Sequence, residues 1–371
     1  MLLAIIVFIL ILGLLIFSHE FGHFISAKKA GIKVEEFGFG FPPRVFGIKK
    51  GETLYSLNLI PLGGFVKIYG EQRPKKPARG WSALGRKNKR AFYNRPIWQR
   101  AIIIAMGVCM NLLLAAILLS IVHGIGVPTI IESSSMAANA KNVQIQIIEI
   151  AKDSPAEIVG LKMGDAIQEL KTQNSSFKIN DVEQMQELVA RYADKDITLI
   201  IKRGNEVLEK TLIPRISPPE GEGPIGVALA KTGIITYPWY AAIWQGIKTT
   251  GQLIVTFIEF FYQLLKTLIL KGVLIGEIAG PVGIAALTSQ MTKLGFVYIL
   301  QFAAILSINL AIINAIPFPA LDGGRLLFLA IEKIKGSPVS AKIERMVNNL
   351  GFILLIVLMI LVTFRDVKRL F

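Results

Sequence analysis

The sequence predicts a polytopic α-helical membrane protein: four transmembrane helices, a membrane-associated β-hairpin sheet and one small inserted domain. Three observations predict it. Of 371 residues, 53% are hydrophobic, too many for a soluble chain of this length. The apolar residues gather in runs long enough to cross about 30 Å of hydrocarbon. Positive charge is concentrated in one place: residues 28–95 hold 16 Lys and Arg against 4 Glu and no Asp.

That basic stretch joins two apolar runs, so the positive-inside rule puts it in the cytoplasm. The rule accounts for the net charge of +15 without nucleic-acid binding. Residues 125–235 hold 12 Lys and Arg against 15 Asp and Glu, as expected of a domain on the opposite side. The single cysteine, Cys109, excludes an internal disulfide framework and is expected as a small buried helix residue.

Residues 1–31 contain the first span, about 2–27. It lacks a basic leader and a small-residue cleavage site, so it reads as a retained helix with its C-terminal end toward the cytoplasm. Residues 32–96 are a membrane-associated β region and basic loop. Val45–Ile48 and Thr53–Ile60 flank a turn at Lys49-Lys50-Gly51-Glu52, and Pro61-Leu62-Gly63-Gly64 precedes a strand at Phe65–Tyr69. Residues 97–124 are the second span. Residues 125–235 alternate β-rich runs (Val143–Ile150, Ala166–Leu170, Asp196–Lys202, Val207–Ile213) with a helix at Asp181–Tyr192.

Residues 236–294 are apolar enough for a span. Yet Gln245, Lys248, Gln252, Glu259, Gln263 and Lys266 draw a polar stripe down one face of a helix over 238–271. That pattern fits an amphipathic helix at the interface better than a lipid-buried span. The Gly280-Pro281-Val282-Gly283 loop follows. Residues 295–321 hold the third span, and 322–371 a basic connection and a fourth span near Val347–Phe364.

The chemistry is concentrated in His19-Glu20-Phe21-Gly22-His23 at the end of the first span. Histidines at i and i+4 share a helical face and can reach one metal ion. The Glu between them is placed as a general base toward a water that the metal polarises. Such polar residues at membrane depth are costly and point to function. A hydrolytic zinc site needs a third ligand, and Asp322 is the candidate. It follows Asn314-Ala315-Ile316-Pro317-Phe318-Pro319-Ala320-Leu321, where two prolines break the third span. Such a break belongs beside a cavity. An ordinary helix N-cap is the other reading of Asp322, and the two roles are compatible. Topology tests the pairing, because Asp322 must end a helix running the same way as the first. It does so only if 238–271 does not cross.

The Ser154-Pro155-Ala156-Glu157 and Gly160-Leu161-Lys162-Met163-Gly164-Asp165 runs resemble PDZ domains. Together with H-E-F-G-H on the first helix and N-x-x-P-x-P-x-L-D-G on the third, the whole chain resembles the site-2 protease family. It is most similar to the RseP-like bacterial intramembrane zinc metalloproteases, except that it has room for one PDZ domain where RseP has two. The resemblance implies zinc bound by His19, His23 and Asp322, with Glu20 as general base. It implies that Gly38 and Gly40, in a G-x-G loop, let substrate backbone approach as an added strand. Asn309 and Asn314 would hold unwound substrate. It also implies a multi-pass protein of the bacterial cytoplasmic (inner) membrane, with its PDZ domain outside and its active site near the cytoplasmic side. Its substrates would be single-span membrane proteins, such as anti-sigma factors trimmed by another protease, or remnant signal peptides. A non-catalytic membrane-anchored PDZ adaptor is the competing reading, and a metal transporter a weaker one.

Overall fold

A computed structural model describes residues 2–71, 90–131, 140–204, 206–272 and 279–370. The chain divides into two compact units, residues 1–122 with 243–371, and residues 123–242.

The first unit is built on apolar helices. Helix α1 covers Leu2–Lys29 and α2 covers Ile97–Ile125. After the second unit come α5 (Trp239–Lys271), α6 (Pro281–Leu294), α7 (Phe296–Ala315), α8 (Asp322–Lys335) and α9 (Ala341–Leu370). Five of them, α1, α2, α5, α7 and α9, are long and apolar enough to cross a membrane. Their outward faces remain apolar: Leu350, Phe352, Ile353, Leu358 and Leu361 of α9 are all exposed. Water does not tolerate such a surface, and lipid does. The shared core of α1, α2 and α7 is Ile11, Leu15, Ala115, Leu118, Leu119, Ala304 and Ile308. Cys109 is exposed on α2, correcting the expectation of burial: in a membrane helix a small thiol can face lipid.

Two long strands, β1 (Val34–Lys50) and β2 (Thr53–Ile68), fold back on themselves. Phe37 pairs with both Val66 and Tyr55, Gly38 with both Phe65 and Ser56, and Phe39 with both Gly64 and Leu57. Phe46 pairs with Leu57 and Ile48 with Tyr55. The order across the sheet is therefore 64–68, 34–39, 53–60, 44–50. Val45, Phe46, Ile48, Leu59 and Ile60 are exposed on the outer part.

This register corrects the reading of Gly38 as part of a loop open to an added strand. Gly38 lies in an inner strand with neighbours on both sides. Glycine is needed there for packing, since a Cβ would meet the Phe65 ring at 2.6 Å. The Gly40 carbonyl accepts a hydrogen bond from Asn58 Nδ2 at 3.0 Å.

The second unit is an antiparallel sheet of seven strands around a small core. Its elements are β3 (Val127–Ile130), β4 (Lys141–Ile150), α3 (Pro155–Ile158), β5 (Ala166–Lys171) and β6 (Ser176–Lys178). They continue with α4 (Val182–Arg191), β7 (Ile197–Arg203), β8 (Glu206–Leu212) and β9 (Val227–Ile235). The strand order is β3-β9-β4-β5-β7-β8, with β6 on β5. Ser154 caps α3 by accepting from Glu157 N, with Pro155 in its first turn. Met185, Leu188 and Val189 of α4 close the core over Leu170, Ile197, Leu199 and Ile201. Buried Asp165 is held by Arg203, Nε to Oδ1 at 2.7 Å, and by the Lys162 amide.

Candidate metal centre and active site

The site is assembled at the last turns of α1. His19 and His23 share a face, and their Nε2 atoms are 3.2 Å apart. Asp322, in the first turn of α8, places Oδ2 3.0 Å from His19 Nε2 and 3.2 Å from His23 Nε2. Ligands about 2.0–2.1 Å from a tetrahedral zinc lie roughly 3.3 Å from one another. The triangle is thus the size of a metal's ligand face. Asp322 Oδ2 and His19 Nδ1 are buried without a hydrogen-bond partner among the described residues. A neutral polar cluster would not leave such atoms unpaired, and a cation among two imidazoles and a carboxylate would satisfy Oδ2. The donor set fits zinc.

His23 Nδ1 lies 2.8 Å from the Ile103 carbonyl of α2. A carbonyl only accepts, so Nδ1 carries the proton and the Nε2 lone pair points to the site. Asp322 is fixed by its own loop. Helix α7 stops at Ala315, and the chain turns back through Pro317 and Pro319. A Cβ at Gly323 would meet the Ile316 carbonyl oxygen at 2.1 Å, and one at Gly324 the Phe318 carbonyl oxygen at 2.2 Å. Only glycines let α8 start so close. The N-cap of α8 is Leu321, so the Asp322 carboxylate turns to the histidines and does not cap.

Two glycines that the sequence reading passed over hold α2 against this face. A Cβ at Gly22 would meet the Met106 carbonyl oxygen at 2.2 Å, and one at Gly107 would lie 2.5 Å from His23 Nε2. Small residues at helix contacts are the available signal. Glu20 is half-buried beside Gly64 of β2, whose Cβ position lies 3.4 Å from Glu20 Cγ. Helix α8 is also pinned to α2 by Arg100 and Glu332, paired at 2.7 and 3.0 Å and largely buried.

The remaining sequence candidates lie off the triad. Asn309 and Asn314 are half-buried on α7. Among the described residues no hydrogen bond joins either to His19, His23 or Asp322, and Asn309 Oδ1 has no partner.

Two histidines near the end of an apolar helix, an aspartate brought to them by another helix and a glutamate beside the first form the donor set of a zinc hydrolase. Residues 7–358 match Peptidase family M50, and the chain belongs to this site-2 protease family. It is 36% identical to a homologue from Clostridium perfringens (strain 13 / Type A), with 95% of each chain covered. It is 32% identical to the zinc metalloprotease RasP of Bacillus licheniformis and 30% identical to the regulator of sigma-W protease RasP of Bacillus subtilis, with 99% of each chain covered. The PDZ domain of an SdrC-like protein from Listeria innocua covers 23% of this chain and 92% of its own, at 18% identity and a TM-score of 0.20.

Proposed function

We propose that this metalloprotease hydrolyses peptide bonds in the transmembrane segments of single-span proteins, near the cytoplasmic boundary. The observation that carries the reading is the His19–His23–Asp322 triangle at the end of a lipid-facing helix. His19, His23 and Asp322 would hold zinc, which supplies a Lewis acid for water and the scissile carbonyl. Glu20 takes the proton of the attacking water and passes it to the departing amine as the C–N bond breaks. The products are a carboxylate and an amine.

A transmembrane helix hides its peptide bonds, so the substrate must unwind. Strand addition is the means supported by the sheet beside the site. Its edge at 64–68 pairs on one side only among the described residues and runs past Glu20. Gly38 then serves from the inner strand, packed against Phe65 of that edge, and Gly40, Asn309 and Asn314 remain candidates for holding unwound chain.

Four crossings fit the packing of the first unit. Asp322 follows α7, so α7 runs parallel to α1. Helix α9 starts beside this end, where Gly351 packs on Pro319. Asp366, about 22 Å further along α9, accepts from Gly283 N at 2.7 Å. The start of α6 is therefore at the far end, which is also where α2 ends against α5, with Gly246 on Ser120. Had α5 crossed, the nine residues from Lys271 to Gly280 would need to return about 30 Å fully extended through hydrocarbon. An α5 lying along the interface avoids this. Residues 32–71, with their exposed apolar hairpin, then associate with the cytoplasmic leaflet, and residues 123–242 form an extracytoplasmic PDZ-type module. The setting is a bacterial inner membrane. The Bacillus subtilis relative is named a regulator of sigma-W protease, which favours anti-sigma factors already trimmed outside as substrates, with remnant signal peptides next.

The test is cleavage of a single-span model substrate by purified wild type and Glu20→Gln, with bound zinc measured in both. Loss of cleavage with zinc retained is expected. Equal cleavage by both would remove Glu20 from the mechanism, and function without cleavage would favour a PDZ adaptor.

A further inference from the structure

Asn111 is fully buried on α2, and neither Nδ2 nor Oδ1 has a hydrogen-bond partner among the described residues. Its main-chain carbonyl is engaged, accepting from Ser307 Oγ of α7 at 2.8 Å. The contact between α2 and α7 is thus held without the amide. A dry, unpaired carboxamide destabilises a fold, and an apolar isostere would not. Such a group needs an explanation.

Its position supplies one. Asn111 stands one helical turn beyond Gly107. Side chains on a helix lean toward its N-terminus and cover the preceding turn. Here that turn is bare, and the ligand imidazoles fill the space. A Cβ on Gly107 would lie 2.5 Å from His23 Nε2 and 2.7 Å from His19 Cε1. The Asn111 amide therefore leans toward the ligand histidines. The buried core that α1, α2 and α7 share is apolar, Leu15, Ala115 and Ile308 among its members.

A carboxamide presents an acceptor and a donor side by side, the complement of the N–H and C=O of a peptide backbone. An unwound substrate brings both groups unpaired into a region without bulk water. One helical turn, about 5.4 Å, equals one to two residues of extended chain at about 3.3 Å each. We propose that Asn111, covered in this structure, is uncovered when the unwound chain enters and binds it, its amide pairing with the main chain one or two residues from the scissile bond. The inference rests on the protease reading above, because its ligand is the extended substrate.

The experiment compares wild type, Asn111→Leu, Asn111→Ala and Glu20→Gln as purified full-length protein in detergent with a single-span substrate. Zinc content, melting temperature, kcat and KM are measured. Leu matches Asn in shape, so Asn111→Leu should keep its zinc and melt at or above the wild-type temperature. Its kcat/KM should fall about 10- to 100-fold, roughly tenfold for each hydrogen bond lost. Asn111→Ala should fall similarly with zinc retained. Wild-type cleavage by Asn111→Leu would overturn the inference and leave the protease reading standing. Loss of zinc or a lower melting temperature in both variants would make Asn111 a scaffold residue, which also overturns it. If wild type cleaves no membrane substrate, the protease reading falls and this inference with it.

Discussion

Gly107 faces His23 so closely that a Cβ would lie 2.5 Å from Nε2, the atom that faces His19 and Asp322. The imidazole cannot swing aside freely, because Nδ1 is held by the Ile103 carbonyl at 2.8 Å. Gly107→Ala should therefore lower zinc affinity by about 10- to 100-fold, the range seen when the support of a ligand is disturbed. The overpacking itself should cost only about 1–3 kcal/mol. Chelator competition at fixed pH measures the first quantity and thermal unfolding of the zinc-free protein the second. Unchanged affinity would mean that α2 can retreat from α1.

Asp322 offers a clean separation of two roles. Leu321 is the N-cap of α8, and no side-chain capping bond is made. Asp322→Ala should therefore lose bound zinc while helicity stays at the wild-type level. A capping aspartate would behave in the opposite way, keeping zinc and destabilising α8 by about 1 kcal/mol. Metal analysis and circular dichroism on the same sample decide between them.

The two halves of this site differed in how legible they were. His19 and His23 are four residues apart, and the helical period alone puts them on one face. Asp322 was reachable because Pro317, Pro319, Gly323 and Gly324 interrupt an apolar run where lipid forbids a broken backbone. Gly22, Gly107 and Asn111 left no such mark. Their meaning lies in which helix packs on which, and an apolar span carries almost no periodicity to reveal that. Gly38 misled, since glycine signals a turn from sequence. In the fold, Gly38 makes room for Phe65 inside a sheet. Strand β9 escaped notice because Val227–Ile235 is half-buried along most of its length and shows weak alternation.

Arg100 and Glu332 fix the helix that carries Asp322. Their side chains are 7% and 13% exposed and doubly hydrogen-bonded. Removing one partner strands a buried charge, so Arg100→Met or Glu332→Leu alone should each cost about 3–5 kcal/mol. The double variant should recover most of that, since two apolar residues can replace a buried pair. A double-mutant cycle on thermal unfolding gives the coupling. Additive losses would show that the pair is wetter than its burial implies.

The number of crossings can be settled on α5. Gln252, Gln263 and Lys266 are all exposed and lie on its polar stripe. With Cys109 replaced by Ala, a single cysteine is placed at each of these positions in turn and challenged with a membrane-impermeant maleimide from the outer side. An interfacial helix keeps its polar stripe in water, so all three positions should label at comparable rates. A crossing helix would bury at least one of them in hydrocarbon, where the thiolate does not form and the reagent does not enter. Labelling at Gln252 with none at Lys266 from the outer side would require α5 to cross. The chain would then have to return before Gly283, whose amide is tied to Asp366 near the C-terminal end of α9.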